Sequence, residues 1–472
     1  MAMDFEYELF HAVSNNEPER LKEILEAGAD PDQFYEDITR IGSKSILHMA
    51  CEKGREECAK VGSLLHMTCE KGQEKCVKVG SLLHMTCEMG QEKCVQVLLA
   101  HNADPRINDR WSQTPLMYCM MTHHYEMGEI ILQHEPATVD DEDRYGKTAL
   151  HKAVETGCEE SVRLLLRYNA NVNHRTHGGV TAMMFLCDST DLGNVANVLK
   201  LLLDAAAEVD IKDHALRTAL HYAAIRKNPT TVELLLGAGA DPNVMDKTGR
   251  TPLTNIIWEN VRIKDGQSMI DPNIMACIEL LTQAGSDLNV TVMEYSNPLI
   301  VSAFLKAWML VRYFLEHGAD PNPKFHSLVT PLLISANKED TKTAKVLLDW
   351  DVNLYAKGHI NQGTKDMFRD PVELSLESGC IEFVMLLVGC GYFLNRIEYL
   401  RKNMVPGIPQ TLQDEPEILL WLQVNARNPL SLFKTAIFQI RSILKKEICR
   451  KAEKLPLPRK LIESVQLKDW LG

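Results

Sequence analysis

Apolar residues recur along most of this chain at the spacing of one helical face, in short segments that come in pairs. In one such pair the first segment places Leu150, Ala153 and Val154 on one face, and Gly157 then permits a tight reversal. Each pair exposes an apolar face that only a neighbouring pair can cover, so the pattern predicts a stack of helix pairs. The second segment of this pair carries Val162, Leu164, Leu165 and Leu166.

Two short strings repeat in step with the helix pairs. The first, T-A-L-H, begins at Thr148 and Thr218, and weaker versions begin at Thr114, Thr181, Thr251, Asn297 and Thr330. The second resembles G-A-D-P-N, and its Gly, Asn and Asp tolerate a left-handed backbone. It closes the units and begins at Gly28, Asn102, Asn169, Gly239, Gly285 and Gly318.

These strings and their spacing of about 33 residues resemble ankyrin repeats. The resemblance implies an all-α solenoid of helix-turn-helix units with β-turn fingers. We expect about ten units over residues 1–397. Trp111, Tyr145, His177, His214 and Lys247 fall at or near the predicted finger tips, where they are candidates for contact with a target protein.

Residues 42–97 depart from this pattern. The segment 62–79 is followed by a near-copy at 80–97, and a looser relative ends at Val61. The first two members stop before a second helix is complete, so we interpret them as abridged, duplicated units. We expect irregular helix packing there and no separate function.

A long connection between Trp258 and Ala276 is a second irregularity. Long connections on one face of a repeat array are often used for binding, although tolerated sequence drift gives the same pattern. The sequence leaves both explanations open.

The repeat signature fades after the array, and prolines at 398–428 predict a linker. A new helix then begins after Ser431, a suitable N-cap. Leu432, Ala436 and Ile440 form one apolar stripe of this helix. A second stripe contains Phe433, Ile437 and Leu444.

Residues 429–472 resemble the SOCS box of the ankyrin repeat and SOCS box-containing family. The likeness lies in Ser431, Leu432, Ile440 and Arg441, and in the L-P-L-P string at 455–458. Ala436 departs from the family, which usually has Cys there, but both residues are small and apolar. The resemblance implies a non-catalytic adaptor of a ubiquitin ligase that binds a protein substrate.

The same resemblance implies two docking sites. Elongin B/C would bind through elongin C at Ser431, Leu432, Phe433, Ala436 and Ile440, a helix-in-groove contact. Cullin-5, with its RING subunit, would be selected by the extended segment Leu455, Pro456, Leu457 and Pro458. The alternative is an ankyrin scaffold or inhibitor whose degenerate C-terminal segment recruits nothing.

Composition and charge narrow the classes of partner. The 472 residues are 45% hydrophobic and carry a net charge of −13, which argues against nucleic acid. The acidic N-terminus does not resemble a secretory signal, and no apolar run of about 18 residues predicts a membrane span. We therefore expect a cytoplasmic protein with reduced cysteines, and the sequence leaves a nuclear pool open.

The sequence suggests neither catalysis nor a cofactor. It contains no H-E-x-x-H string, no phosphate-binding loop followed by Lys, and no evident catalytic Ser, His and acid trio. His84 precedes Cys87 by three positions, and the same spacing occurs at His48 and His66, which raises the alternative of a zinc site. The repeat pattern instead predicts that these His and Cys residues pack in the core.

Overall fold

The computed structural model describes residues 8–29, apart from 10 and 14, and residues 82–427, apart from nine short gaps. These gaps are 190–192, 265–266, 291, 293–295, 324–327, 363–364, 398–399, 402–407 and 415. The described residues fall into two compact units. Unit 1 lies within residues 1–226 and 233–240, and unit 2 within 227–232 and 241–472.

Unit 1 is built from pairs of short antiparallel helices, as the apolar spacing predicts. Its helices are α1 (Pro18–Glu26), α2 (Leu82–Met89), α3 (Glu92–Ala100), α4 (Pro115–Met121), α5 (Tyr125–His134), α6 (Ala149–Thr156), α7 (Glu159–Arg167), α8 (Ala182–Asp188), α9 (Val195–Asp204) and α10 (Ala219–Ile225). A 3-10 helix follows α5 at Pro136–Asp140. The next helix, α11 (Pro229–Gly237), contributes residues to both units.

Unit 2 continues the same pattern with two β-hairpins added. Its helices are α12 (Pro252–Asn260), α13 (Pro272–Gln283), α14 (Pro298–Phe304), α15 (Trp308–Glu316), α16 (Pro331–Asn337), α17 (Thr341–Leu348), α18 (Pro371–Ser378), α19 (Ile381–Gly389), α20 (Gln410–Gln413) and α21 (Pro416–Arg427), with a 3-10 turn at Leu394–Arg396. The hairpins are β1 (Arg262–Lys264) with β2 (Gln267–Met269), and β3 (Gly358–Gln362) with β4 (Lys365–Arg369).

A threonine caps the first helix of each complete pair in the middle of unit 1. The hydroxyl of Thr114 accepts a hydrogen bond from the Met117 amide, which satisfies one of the unpaired donors at the helix start. At Thr148 a histidine completes the cap, because the Thr148 amide donates to His151 Nδ1 at 3.2 Å. The T-x-L-H string is thus a helix-start signal.

The same histidines link neighbouring pairs in unit 1. His151 Nε2 lies 3.4 Å from the Val180 carbonyl oxygen, and His84 Nε2 lies 2.8 Å from that of Gln113. Because His151 Nδ1 accepts an amide proton, Nε2 carries the ring proton and donates it to Val180. Both rings are buried, and burial lowers the pKa of His84 and brings that of His151 to about 4.

Asparagines connect successive loops in unit 2. Asn243, Asn289 and Asn322 each accept a backbone amide of the next loop at 2.7 Å. Each also donates its side-chain amide to a carbonyl oxygen of that loop. These paired bonds satisfy backbone groups between helix pairs and fix the spacing of the loops. The three amide donors belong to Asp287, Asp320 and Asn353.

Helix α1 packs directly against α3, although residues 30–81 separate α1 from α2 in sequence. Cys94 Sγ on α3 lies 3.6 Å from Asn16 Oδ1, and both Leu21 and Cys94 are fully buried. Helices α2 and α3, from the last of the duplicated segments, form an ordinary pair. The irregular packing expected over 42–97 is therefore wrong for residues 82–97; the two earlier copies lie outside the described residues.

The residues directly after the last copy explain this ordinary packing. Leu98, Leu99 and Ala103 are all buried, and they complete the second helix of that copy and the loop after it. The earlier copies lack this continuation in sequence. The last copy therefore has the full apolar face that a stack requires.

The all-α prediction is confirmed for the helix pairs but omits the hairpins. The long connection between Trp258 and Ala276 forms the β1–β2 hairpin, and β3–β4 extends the loop before α18.

The predicted linker at 398–428 is also wrong in part, because it contains α20 and α21 with Leu412, Leu422 and Ala426 buried. Pro416 begins α21 rather than breaking it, since proline is favourable in the first helical turn. No helix in the described ranges is long and apolar enough to span a bilayer.

The buried histidines make stability depend on pH. Unfolded histidine has a pKa of about 6.5, so below this value the unfolded chain binds a proton that folded His151 takes up only near pH 4. The free energy of unfolding should therefore fall as pH drops from about 6.5 to about 4, by roughly 3 kcal/mol for His151. Urea denaturation across this window should show a weaker dependence for His151→Gln than for the parent. Parallel curves for the two proteins would contradict this.

The direct packing of α1 on α3 predicts that the stack does not need the intervening segment. Deleting residues 30–81 and joining the ends through a Gly-Ser linker should change the thermal midpoint by no more than about 4 °C. Deleting residues 82–109 instead removes α2 and α3 and uncovers α4, so it should destabilise the protein clearly. A larger loss from the first deletion than from the second would refute the arrangement.

Candidate binding surface

Four fingers project between the helix pairs of unit 1, at residues 109–114, 143–148, 176–181 and 213–218. Each begins with a buried polar residue, which is aspartate in three of them. Asp109 Oδ1 accepts the backbone amides of Trp111 and Gln113, both at 2.8 Å, and thereby holds the turn. Asp143 and Asp213 make the same two bonds in their own fingers.

The second carboxylate oxygen binds a side chain nine residues later, on the helix that follows. Asp109 Oδ2 accepts the Tyr118 hydroxyl at 2.9 Å, and Asp213 Oδ2 accepts that of Tyr222 at 2.6 Å. Asp143 instead forms a buried ion pair with Lys152, with Nζ 2.9 Å from Oδ2. Each buried carboxylate thus has both oxygens occupied.

In the third finger, the base residue and the helix residue nine positions later both differ from those of the other fingers. Thr176 replaces aspartate there, and its hydroxyl accepts the Val180 amide at 3.1 Å. The helix position that carries Tyr118, Lys152 or Tyr222 elsewhere is Phe185, which has no group to donate. A neutral finger residue has no second oxygen that needs a partner.

Hydrogen bonding sets the charge states in these fingers. Burial raises the pKa of Asp143, but bonds from the Lys147 amide and from Lys152 outweigh it and leave the pKa below its ordinary value. Burial and the neighbouring Asp109 carboxylate together raise the pKa of Tyr118. At neutral pH the Asp143 carboxylate is therefore ionised, and the Tyr118 hydroxyl keeps the proton that it donates.

Backbone bonds join the finger tips into one surface. The Arg144 amide donates to the Trp111 carbonyl at 2.9 Å, and the His177 amide to that of Tyr145 at 3.0 Å. The His214 amide donates to the Gly178 carbonyl at 3.0 Å. We call the surface formed by Arg110, Trp111, Arg144, Tyr145, His177 and His214 the finger edge.

The aromatic residues predicted at the tips are accessible. Tyr145 is 55% exposed, and Trp111 is half-buried. Their backbone amides are bound within the fingers, so the backbone that carries each ring is held in place. Such pre-placed aromatic rings reduce the entropy lost when a partner binds.

The two predicted histidines have a second role in the structure. Both are exposed, but each packs on the glycine of the preceding finger. A Cβ on Gly146 would lie 2.6 Å from His177 Nδ1, and one on Gly179 would lie 3.1 Å from the His214 ring. His177 and His214 therefore interlock the fingers as well as face solvent.

The remaining predicted site residues belong to other parts of the chain. Lys247 is exposed on a finger of unit 2, whose base Asp246 holds the turn as in unit 1. The predicted elongin-binding and cullin-binding residues, 431–440 and 455–458, lie outside the described residues.

Sequence reasoning missed the arginines that precede the tip aromatics. The guanidinium carbon of Arg110 lies 3.9 Å from the centre of the Trp111 ring, and that of Arg144 lies 5.3 Å from the centre of Tyr145. Both contacts are cation–π interactions. Aligning the fingers on their buried aspartates would have found these residues, because each follows its aspartate directly.

Unit 2 has a separate aromatic cluster that sequence reasoning also missed. The Trp258 and Phe304 rings stack with centres 5.8 Å apart, on the first helices of successive pairs. Arg250 lies 4.7 Å from the Trp258 ring and Lys338 lies 4.2 Å from the Phe304 ring. The rings lie 46 positions apart in sequence, so no local pattern announces their contact.

His84 and Cys87 lie in the core of unit 1, as the repeat pattern predicts. His84 bonds to the Gln113 carbonyl and contacts the Tyr118 ring edge-on. No cluster of His, Cys, Asp or Glu suited to a metal ion occurs within the portion of the chain that the structure describes.

A sequence profile for three consecutive ankyrin repeats matches this chain at residues 9–109, 83–176 and 183–262. Together these matches cover more than half of the 472 residues. The matched ranges contain most residues of the helix pairs of unit 1, three of its four fingers (109–114, 143–148 and 213–218) and the first finger of unit 2. The profile and the geometry therefore agree on the repeating unit.

Individual relatives match over shorter stretches. Inversin of Canis lupus familiaris is 29% identical over 158 residues, 34% of this chain and 14% of inversin. The B-cell lymphoma 3 protein homolog of Mus musculus is 27% identical over 201 residues, 42% of each chain. The transient receptor potential channel pyrexia of Drosophila melanogaster is 30% identical over 150 residues, 32% of this chain and 14% of pyrexia. The matches thus span less than half of each relative.

The paired variation of finger and helix predicts how stability responds to substitution. Lys152→Phe leaves the buried Asp143 carboxylate without its cation and should cost about 3 kcal/mol of unfolding free energy. Asp143→Thr with Lys152→Phe copies the Thr176 and Phe185 pair, so it should recover at least half of that loss. Chemical denaturation of the full chain measures both values.

A matched control tests whether the loss of stability depends on the lysine being paired with the buried carboxylate. Lys147→Met removes a lysine of the same finger whose partner, Glu155, lies at the surface, so it should cost less than about 1 kcal/mol. Equal unfolding midpoints for Lys152→Phe and the double variant would show that the carboxylate does not require the lysine.

Proposed function

Because this chain belongs to the ankyrin-repeat family, we propose that it is a non-catalytic protein whose repeats bind another protein. The observation that carries this proposal is the finger edge, which is exposed, rich in aromatic and cationic side chains, and fixed by hydrogen bonds from base to tip. Rigid aromatic and arginine side chains are the residues that most often dominate protein interfaces. Repeat proteins use such extended surfaces for recognition.

We further propose that the chain is the substrate-recruiting adaptor of a cullin-type ubiquitin ligase. In this proposal residues 429–472 form a SOCS box that docks on elongin B/C and cullin-5, while the repeats hold the substrate for ubiquitination and degradation. The support is in the sequence: Ser431, Leu432, Ile440 and Arg441 precede the L-P-L-P string at 455–458 in the family's order. Cytoplasmic location, with a nuclear pool, is part of the same proposal.

The physical logic of the proposed module is consistent with a docking role. The helix predicted after Ser431 has two apolar stripes, more than so short a segment can bury on itself. Leu432, Ala436 and Ile440 would enter an apolar groove of elongin C. The prolines at 456 and 458 would hold an extended segment for the cullin at a low entropic cost.

The alternative function is that of a scaffold or inhibitor that binds a protein through its repeats and recruits no ligase. Inversin and the B-cell lymphoma 3 protein homolog, which are similar to the repeats, carry no indication of a ligase in their names. The two functions differ only in what residues 429–472 bind, so one experiment separates them.

Affinity purification of the tagged full chain should recover elongins B and C. Leu432→Asp with Ala436→Phe should abolish this recovery, because a charge and a bulky ring would enter the proposed groove. Leu420→Asp is the matched control: Leu420 is 62% exposed on α21, so the same change there should leave elongin recovery intact. Replacing residues 455–458 by alanine should lose cullin-5 and keep elongin. Elongin recovery that no variant changes, or that is absent from the parent, would leave the scaffold function.

A further inference from the structure

The finger edge differs in charge from the rest of unit 1. The residue after each finger base is Arg110, Arg144, His177 or His214, and every acidic residue within these four turns is a buried finger base. Both arginines are exposed. The whole chain, by contrast, carries a net charge of −13. The four turns thus expose basic residues and no acidic ones, on a chain whose net charge is negative.

The arginines in the described helices of unit 1 are neutralised within the chain, whereas Arg175, beside the third finger, bonds to backbone carbonyl oxygens. The helical arginines, Arg20, Arg163 and Arg167, all pair with glutamates at 2.6 to 3.1 Å. Arg110 and Arg144 form no salt bridge with any carboxylate among residues 8–29 and 82–427 that the structure describes; each rests on an aromatic ring instead. The ring holds the cation in place and leaves its charge uncompensated.

The carboxylates nearest in sequence cannot supply that compensation. Asp109 and Asp143 directly precede the two arginines, but both are buried and bind the amides of their own turns. The second oxygen of each is engaged by Tyr118 or Lys152. The finger edge therefore presents fixed guanidinium groups beside aromatic faces, with carboxylate partners to be provided from outside.

From this arrangement we propose that the finger edge of unit 1 binds an acidic segment of the partner protein, with carboxylates on Arg110 and Arg144 and an apolar residue against Tyr145. This inference rests on the proposed protein-binding function and not on the C-terminal module. Arginine matches carboxylates with two parallel hydrogen bonds, which lysine cannot do. A surface that follows a phosphate backbone gathers many cations over a whole domain, which two exposed arginines on a chain of net charge −13 do not provide, so a short acidic protein segment is the favoured occupant.

A defined probe tests the inference with the full chain. Fluorescence anisotropy would follow a labelled random copolymer of glutamate and tyrosine, and in parallel a labelled single-stranded oligothymidylate. The copolymer should bind, and its affinity should fall as salt rises, because the contacts involve exposed charges. Arg110→Glu with Arg144→Glu should weaken binding by about tenfold or more, since two attractions become repulsions.

The control variant changes the net charge of the chain by the same amount, but at two arginines outside the finger edge. Arg163→Glu with Arg167→Glu alters α7 and should leave copolymer binding within about twofold of the parent. Tyr145→Ala removes the exposed ring and should weaken binding by a few-fold with unchanged circular dichroism. These results would support the finger edge as an acidic-segment site.

Other outcomes would overturn it. Equal weakening by both arginine pairs would mean that only net charge matters, and tighter binding of the oligothymidylate would assign the surface to nucleic acid. Absence of copolymer binding at low ionic strength would exclude the site. Each of these leaves elongin recovery unaffected, so failure here is distinguishable from failure of the ligase proposal.

Discussion

A buried polar side chain at the base of each finger determines the surface that this protein offers to others. One oxygen of Asp109 or Asp143 gathers the amides of the turn, and the other binds the helix behind it, so that the tip cannot move independently of the helix pair. The bonds between tips then pass this order from one finger to the next. A surface held in this way loses little conformational entropy on binding.

The repeating features could be predicted from the sequence because they are local. Thr148 caps the helix that His151 and Leu150 continue, and all three lie within four positions, so the T-A-L-H string specifies both the helix start and its buried face. A glycine or asparagine with a left-handed backbone likewise marks the turn after several second helices, as at Gly239 and Asn169, although Ala206 takes this position after α9. The positions of tip residues such as Tyr145 could be predicted by counting residues between these two signals.

The features that the sequence did not predict depend on contacts between residues that are distant in sequence, or on a choice among several similar segments. Three similar segments in residues 42–97 could each have packed against α1. The segment that contains α3 does so, and it is the one followed in sequence by the buried residues Leu98, Leu99 and Ala103. Pro416 is typical of a linker in sequence, but it begins α21, which buries Leu422 and Ala426. Arg110 and Arg144 have no carboxylate partner among the described residues, whereas the arginines on α1 and α7 are paired, and nothing in the local sequence distinguishes the two groups.

The finger edge of unit 1 is, in our proposal, the place where the partner protein is bound. Site-specific photo-crosslinking in cells tests this most directly, with a photoreactive amino acid placed at Tyr145 or, as the control, at Arg163 on the exposed surface of α7. We predict a discrete protein adduct at position 145, joined through a peptide rich in Asp and Glu, and little adduct at position 163. Equal adducts at both positions, or a basic peptide joined at position 145, would contradict the proposal.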